Sequence, residues 1–117
     1  MTNNPITNQY INTYEFNLPI GITDDEGNKH DRGIMRATTG MDEIFWQQNF
    51  RTQNNPADGL FILLSRTVLS LGEMPAVNIE TMENLLLNDF KYLVNFYNQI
   101  NPANAQISLL GKQWATL

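Results

Sequence analysis

The hydrophobic residues change their spacing once along the chain, and this change limits the fold more than any other feature. Apolar and polar residues alternate over residues 14–20, with Tyr14, Phe16, Leu18 and Ile20 on one side. A period of two is typical of a strand with one buried face. From residue 41 onward the apolar residues recur every three or four positions, the period of an amphipathic helix. We therefore predict an α+β domain in which an N-terminal β-hairpin packs on a bundle of three to four helices.

The hairpin is defined by a turn signal at residues 24–28. This stretch is rich in Asp, Gly and Asn, which favour turns, and Gly27 and Asn28 tolerate positive φ. Pro19 has no N–H to donate, so the first strand is near its end there or lies at a sheet edge. The second strand is predicted over residues 29–37. Gly33 within it indicates a bulge or a close approach of another backbone.

The first helix is predicted over residues 41–52. Thr39 can cap its start, and the acidic residues Asp42 and Glu43 lie in the first turn, where the helix dipole favours negative charge. Pro56 ends it, because proline restricts the preceding residue to extended geometry. We expect a broad buried face formed by Met41, Ile44, Phe45, Trp46 and Phe50.

Three further helices follow in the predicted order. The second helix begins near Pro56 and ends at Gly72, with Leu60, Leu63, Leu64, Val68 and Leu71 at helical spacing. A short helix over residues 79–86 follows Asn78, and a last one runs from residue 88 or 89 to residue 100. These helices and the hairpin make one domain, residues 14–100.

The two ends of the chain fall outside this predicted domain. Residues 1–13 are polar, uncharged and unpatterned, which predicts a flexible N-terminal arm. Residues 101–117 form a C-terminal tail with several apolar side chains around Gly111. The tail is either a strand that joins the hairpin or a segment that binds a partner.

Composition excludes several classes of function. The net charge of −5 argues against nucleic acid, because a phosphate backbone needs clustered Lys and Arg. The absence of cysteine excludes disulfides and thiolate chemistry. The longest apolar run, residues 60–64, is far shorter than the roughly 20 residues of a membrane helix. We expect a cytoplasmic protein that does not bind membranes.

Catalytic chemistry finds little support in the sequence. His30 is the only histidine, and we interpret it and its acidic neighbours as a solvated turn. Asp42 and Glu43 are better explained as helix-capping residues than as a hydrolytic pair. Ser65 lacks a second histidine with which to build a nucleophile and base relay. We predict no catalytic, cofactor-binding or metal-binding residue, and no small-molecule substrate.

Protein contacts are the remaining kind of function. The candidate partner-binding residues are Tyr10, Tyr14, Arg66, Leu109 and Trp114. An arginine in an apolar helix must pair with a carboxylate or face a partner. Asp58, Glu73 and Asp89 are the carboxylates that we considered for such a pair.

Several short motifs, in order, carry a resemblance to a known family. They are Leu18-Pro19-Ile20-Gly21, Asp25-Glu26-Gly27-Asn28-Lys29-His30, Met35-Arg36-Ala37-Thr38-Thr39-Gly40-Met41-Asp42-Glu43, Asn55-Pro56-Ala57, residues 60–72 with Leu64-Ser65-Arg66, and Leu87-Asn88-Asp89-Phe90-Lys91-Tyr92-Leu93. Over residues 14–97 the chain resembles a family of tail and baseplate assembly proteins from contractile phages and extracellular contractile injection systems. Longer members continue into a further module, and any function of that module is not implied here.

The resemblance implies a non-enzymatic role in particle assembly. The chain would be an assembly factor, such as a chaperone, or a minor baseplate or tail component, and would act in the cytoplasm during assembly. Its partners would be other tail or baseplate proteins, namely hub, spike or tape-measure proteins. Whether it stays in the finished particle is open. The alternative is a stand-alone regulatory or immunity-type binding module that is unrelated to phage tails.

Overall fold

The computed structural model describes residues 12–55 and 57–102, and these form a mixed α+β domain. Its elements are β1 (Thr13–Thr23), β2 (Lys29–Arg36), α1 (Gly40–Gln48), α2 (Phe50–Asn54), α3 (Leu60–Thr67), β3 (Val68–Leu71), α4 (Ile79–Glu83) and α5 (Leu87–Ile100). The three strands make one antiparallel sheet in the order β1-β2-β3. The predicted fold class and N-terminal hairpin are confirmed.

The hairpin turn is built as its residue types suggest. Asp24 N–H donates to Asn28 O at 2.9 Å, and Gly27 N–H donates to Asp24 O at 3.0 Å. One carboxylate oxygen of Asp24 also accepts from the N–H groups of Glu26 and Asn28. Gly27 has φ +87°, a backbone conformation that favours glycine. The predicted turn at residues 24–28 is therefore confirmed.

The free edge of β1 is closed by α5. The pairing with β2 is irregular between Asn17 and Ile22, so backbone N–H groups there lack strand partners. Asp89 of α5 supplies acceptors, because its two carboxylate oxygens bind Ile20 N–H at 2.9 Å and Gly21 N–H at 2.8 Å. The hydroxyl of Tyr92 accepts from Asn17 N–H at 3.2 Å. Helix α5 is thereby bound along the outer edge of the sheet.

The second helix is shorter than predicted, and its last residues form β3. Helix α3 ends at Thr67, and residues 68–71, expected to be helical, pair with β2. Val68 lies opposite Met35 while Ser70 lies opposite Ile34, so one extra residue, Leu69, bulges between them.

The bulge explains why the sequence pattern misled the prediction. Val68 and Leu71 are both buried although they are three positions apart, a spacing that a regular strand would place on opposite faces. Gly72, predicted to cap the helix, instead has φ +57° in the turn after β3. A bulged strand and a helix bury the same two positions, so periodicity alone could not separate them.

Gly33 makes the close approach that its position indicated. A Cβ atom there would overlap the carbonyl oxygen of Ser70 on β3 and the ring of Phe16 on β1. Only a residue without a side chain lets the neighbouring strand and the core aromatic ring come this near.

The core lies between one face of the sheet and the helices. Its buried hydrophobic residues are Phe16, Leu18, Met35, Trp46, Leu63, Leu64, Val68, Leu71, Met82, Leu85, Leu93 and Tyr97. The ring of Phe16 meets the edge of Phe96 with centroids 5.9 Å apart, which joins β1 to α5. Among the described residues no helix is both long and apolar enough to cross a bilayer.

The end of α5 is fastened to the loop before α1. Thr38 N–H donates to the Asn101 side-chain oxygen at 2.9 Å, and Thr38 Oγ1 donates to the Tyr97 hydroxyl at 2.7 Å. The Asn101 amide also donates to Tyr97 O at 3.0 Å. Burial raises the pKa of Tyr97 to about 12, so its hydroxyl stays neutral at physiological pH. The chain therefore leaves the domain beside the start of α1.

Candidate interaction site

Helix α1 presents apolar side chains to solvent and acidic ones to the protein interior. Met41 is 66% exposed, and Ile44 and Phe45 are each 44% exposed. Asp42 and Glu43 are buried on the opposite side, together with Trp46. The predicted broad buried face is therefore wrong for Met41, Ile44 and Phe45 and correct for Trp46, while the Phe50 side chain lies outside the described residues. This inverted polarity singles out α1 as a candidate site.

A capping box orients the start of α1. Thr39 N–H donates to Asp42 Oδ2 at 2.9 Å, and Asp42 N–H donates to Thr39 Oγ1 at 3.3 Å. The predicted capping roles of Thr39 and Asp42 are confirmed. The Asp42 side chain has a second role that the sequence did not indicate. It also turns inward toward two arginines.

Asp42 is the centre of an ion-pair cluster. Its carboxylate is fully buried and binds both Nη atoms of Arg36, at 2.6 and 2.9 Å, and Nε of Arg66 at 2.8 Å. Burial by itself raises the pKa of Asp42, but hydrogen bonds from Arg36, Thr39 and Arg66 more than offset that, so its pKa lies below the ordinary value. Two charged hydrogen-bond donors thus hold this carboxylate in its ionised form.

Arg66 lies beside the exposed apolar residues of α1. The predicted carboxylate partners were wrong, since Arg66 pairs with Asp42 and not with Asp58, Glu73 or Asp89. Its guanidinium carbon is 4.3 Å from the centre of the Phe45 ring, the geometry of a cation–π contact. Its side chain is 30% exposed, and its two Nη atoms have no hydrogen-bond partner within the described part of the chain.

These four side chains form a continuous surface that we name the α1 face: Met41, Ile44, Phe45 and Arg66. Met41 is three residues from Ile44 and four from Phe45, so the three side chains are neighbours on the helix. Arg66 stacks on Phe45, and its Nη donors are unpaired among the described residues. Aromatic residues and arginines are the types that contribute most to protein–protein binding, and an exposed apolar patch typically marks a contact surface.

A separate shallow groove lies between the loop before α1 and the sheet, and none of the four α1-face residues lines it. It has a volume of about 210 Å³ and is lined by Leu69 of the β3 bulge, Arg36, and the loop over residues 37–39, among others. Leu69 belongs to the edge strand β3, and its side chain is exposed.

The structure describes two of the five contact residues predicted from the sequence, Tyr14 and Arg66. Tyr14 is partly exposed on β1, opposite Met35. Tyr10, Leu109 and Trp114 lie outside the described residues. The sequence pattern indicated Arg66 but not its neighbours on α1. No local signal would have revealed them, because Asp42 is held inward by arginines from other elements.

His30 is a structural residue and not the solvated turn residue that we predicted. It is only 7% exposed. Its Nδ1 accepts from Glu73 N–H at 3.2 Å, which leaves Nε2 to donate to Asp24 Oδ2 at 2.9 Å. The hydrogen bond from His30, with backbone N–H donors in the turn, lowers the pKa of Asp24 to about 2. The imidazole therefore ties the hairpin turn to the loop after β3.

Neither a catalytic relay nor a metal cluster is found in the described ranges. Both ring nitrogens of His30 have protein partners, and the hydroxyl of Ser65 donates to Ile62 O at 2.8 Å within α3. Residues 12–55 and 57–102 contain no group of three or more side chains that could hold a metal ion. In the described part of the chain, the α1 face is therefore the candidate site.

Comparisons of the sequence with protein-family models and curated proteins, and of the structure with solved structures, find no match.

Proposed function

We propose that this chain is a non-enzymatic protein that acts through protein–protein contacts and uses the α1 face as its contact surface. The observation that carries the proposal is the inverted polarity of α1, where Met41, Ile44 and Phe45 face solvent while two acidic residues are buried. A helix that served only its own core would bury these apolar residues.

The energetics of the α1 face suit a binding surface. Each half-exposed apolar side chain would gain about 1 kcal/mol when a partner buries the remainder, on the scale of 1.5 to 3 kcal/mol for full burial. The Nη groups of Arg66, which have no partner in residues 12–55 and 57–102, add a site for a carboxylate, since arginine binds carboxylates through hydrogen bonds. A partner with apolar side chains around an acidic residue would match both features.

For the biological setting, we propose an assembly factor or a minor baseplate or tail component of a contractile phage-tail-like particle. The support is the sequence resemblance over residues 14–97. The partners would be hub, spike or tape-measure proteins, and assembly would take place in the cytoplasm. A transient chaperone would be absent from purified particles, whereas a retained subunit would be present at fixed stoichiometry in mass spectrometry.

A double substitution on the α1 face tests the proposal. Ile44→Ser with Phe45→Ser removes two exposed apolar contacts without opening the core. The matched control is Leu86→Ser with Leu87→Ser, a pair at 55% and 65% exposure at the start of α5. A gene that encodes each variant replaces the native gene in a cell that produces the phage-tail-like particle. Particle assembly is scored by electron microscopy.

The expected result is loss of assembly, and of co-purifying tail proteins, in the α1 variant but not in the control. Circular dichroism of both purified variants confirms that they fold. Normal particles from the folded α1 variant would refute the α1 face as the contact surface. Normal particles from a full deletion would refute the tail-assembly setting and favour the stand-alone binding module.

A further inference from the structure

We infer that two copies of this chain form a symmetric dimer through the face of the sheet that points away from the core. The inference goes beyond the proposed function, because it concerns a second copy of the chain and not the partner of the α1 face. None of the four α1-face residues belongs to the three strands of the sheet.

The strand register defines this side of the sheet. Successive side chains of a strand point to opposite faces, and Phe16 and Met35 are buried in the core, so their neighbours along β1 and β2 point outward. Five outward-facing residues lie next to one another across the three strands. We name them the outer sheet face: Glu15, Asn17, Arg32, Ile34 and Ser70.

The outer sheet face is accessible to a second surface. A concavity of about 500 Å³ lies on it and is lined by all five of its residues together with Tyr92, among others. Glu15, Asn17 and Arg32 are exposed. Ile34 is half-buried and is the one aliphatic side chain of the five. A contacting surface would therefore meet charged and polar groups around a single apolar residue.

The two charged residues of the outer sheet face have no ionic partner in the described part of the chain. Arg36 and Arg66 both bind Asp42. Glu15 and Arg32, by contrast, form no ion pair with each other or with another residue in the ranges 12–55 and 57–102. They occupy diagonal positions on neighbouring strands, which are about 7 to 8 Å apart. The face thus carries one unpaired charge of each sign.

The positions of four residues on this face suit two-fold symmetry. Glu15 lies opposite Ile34, and two positions along the strands Asn17 lies opposite Arg32, so the two charges occupy one diagonal of a four-residue block. Asn17 and Ile34 occupy the other diagonal. A two-fold axis between two such faces, close to the second diagonal, brings Arg32 of each copy opposite the partner's Glu15. The same axis sets Ile34 against Ile34 and Asn17 against Asn17, as an isologous interface requires.

Each of these contacts is chemically complementary. The guanidinium of Arg32 binds a carboxylate through charge-assisted hydrogen bonds, and symmetry makes this pair twice. The amide of Asn17 both donates and accepts, so it can bind a copy of itself. Contact between the two Ile34 side chains removes apolar area from water. The two ion pairs fix the orientation of one copy on the other.

The charge pattern also favours a second copy over other occupants. An acidic partner would place like charge against Glu15, and a basic partner would place like charge against Arg32. A second copy related by two-fold symmetry supplies the opposite charge at both positions.

Sedimentation equilibrium of the full-length chain over a range of concentrations tests the inference. The single variants are Glu15→Arg and Arg32→Glu, and the double variant carries both changes. The matched controls are Glu26→Arg in the hairpin turn and Lys91→Glu on α5. Both control positions are exposed, and the controls change the net charge by the same amounts as the single variants.

We expect the native chain and both controls to form dimers of similar stability. Each single charge reversal places like charges opposite each other twice, so it should raise the dissociation constant at least about tenfold. The double variant restores opposite charges and should return the dissociation constant to within about threefold of the native value. Misfolding of a single variant cannot imitate this rescue, because the double variant contains the same substitution.

Three results would overturn the inference. The first is a native chain that remains monomeric at every concentration. The second is a dimer that the single reversals do not weaken more than the controls do, or that the double variant does not restore. The third is a dimer that is lost in the Ile44→Ser, Phe45→Ser variant but kept in Glu15→Arg, which would assign the dimer interface to the α1 face. None of these results depends on particle assembly, so failure here is distinct from failure of the proposed function.

Discussion

Replacing Asp42 with asparagine tests the ion-pair cluster beneath α1. The side chain keeps its size but loses its charge, so Arg36 and Arg66 lose the carboxylate they share. The new amide can accept through its oxygen only and turns an NH₂ group toward guanidinium donors. The substitution therefore leaves two cations facing a group that cannot pair with both.

The magnitude follows from burial and geometry. Removing one partner of a fully buried ion pair costs about 3 to 5 kcal/mol. Asp42 is fully buried, but the side chains of Arg36 and Arg66 are 26% and 30% exposed and can regain some hydration. We therefore expect a loss of about 3 kcal/mol, at the low end of that range. For a domain of this size, this lowers Tm by roughly 12 °C.

The assay is thermal unfolding followed by circular dichroism at pH 7, with Asp31→Asn as the matched control. Asp31 is partly exposed and 3.9 Å from Lys29, so its loss should change stability by less than about 1 kcal/mol. A Tm decrease for Asp42→Asn that is no larger than that of the control would refute the reasoning.

The pH dependence supplies an independent check. The pKa of Asp42 is lower in the folded protein than its ordinary value of 3.8. Its stabilising contribution is therefore complete above about pH 4 and is lost as the pH falls below that value. The Tm difference between the native protein and Asp42→Asn should stay constant from pH 7 to about pH 5 and shrink below pH 4.

Two further predictions concern the sheet and its turn. Gly33→Ala should lower the free energy of unfolding by about 1 to 3 kcal/mol in urea titrations, because the added Cβ overlaps Ser70 O, whereas Gly40→Ala, with open space around it, should not destabilise; equal effects would contradict the close approach. His30→Ala should raise the pKa of Asp24 from about 2 toward 3.8 in an NMR titration, and the stabilisation lost between pH 4 and pH 2 should then become smaller, because the backbone N–H donors of the turn remain. An unchanged Asp24 titration would refute the role of His30.

Local features of the sequence predicted the parts of the fold that depend on neighbouring residues. The strand β1, the Asp and Gly turn at residues 24–28, and the Thr39 cap of α1 were confirmed. The buried face predicted for β1 is correct for Phe16 and Leu18 and wrong for Tyr14 and Ile20, which are exposed. Each confirmed feature involves atoms a few residues apart, so its physics can be read along the chain.

The candidate site could be predicted only in part. The sequence marked Arg66 as a side chain that must pair or face a partner, and the structure places it beside Phe45. The exposed position of Phe45 itself was not predictable, because hydrophobic spacing assigned it to the core. Burial of Asp42 decides which side of α1 faces inward, and that burial depends on arginines 6 and 24 residues away.

By itself, then, the sequence determined an α+β domain that begins with a hairpin, because strand, turn and cap preferences act over a few residues. Tertiary structure decided that residues 68–71 leave the helix for the sheet, since a bulge at Leu69 buries the same positions as a helix would. It also decided the orientation of α1, through charge pairs between distant elements. Energies of this kind depend on three-dimensional proximity, which hydrophobic periodicity does not encode.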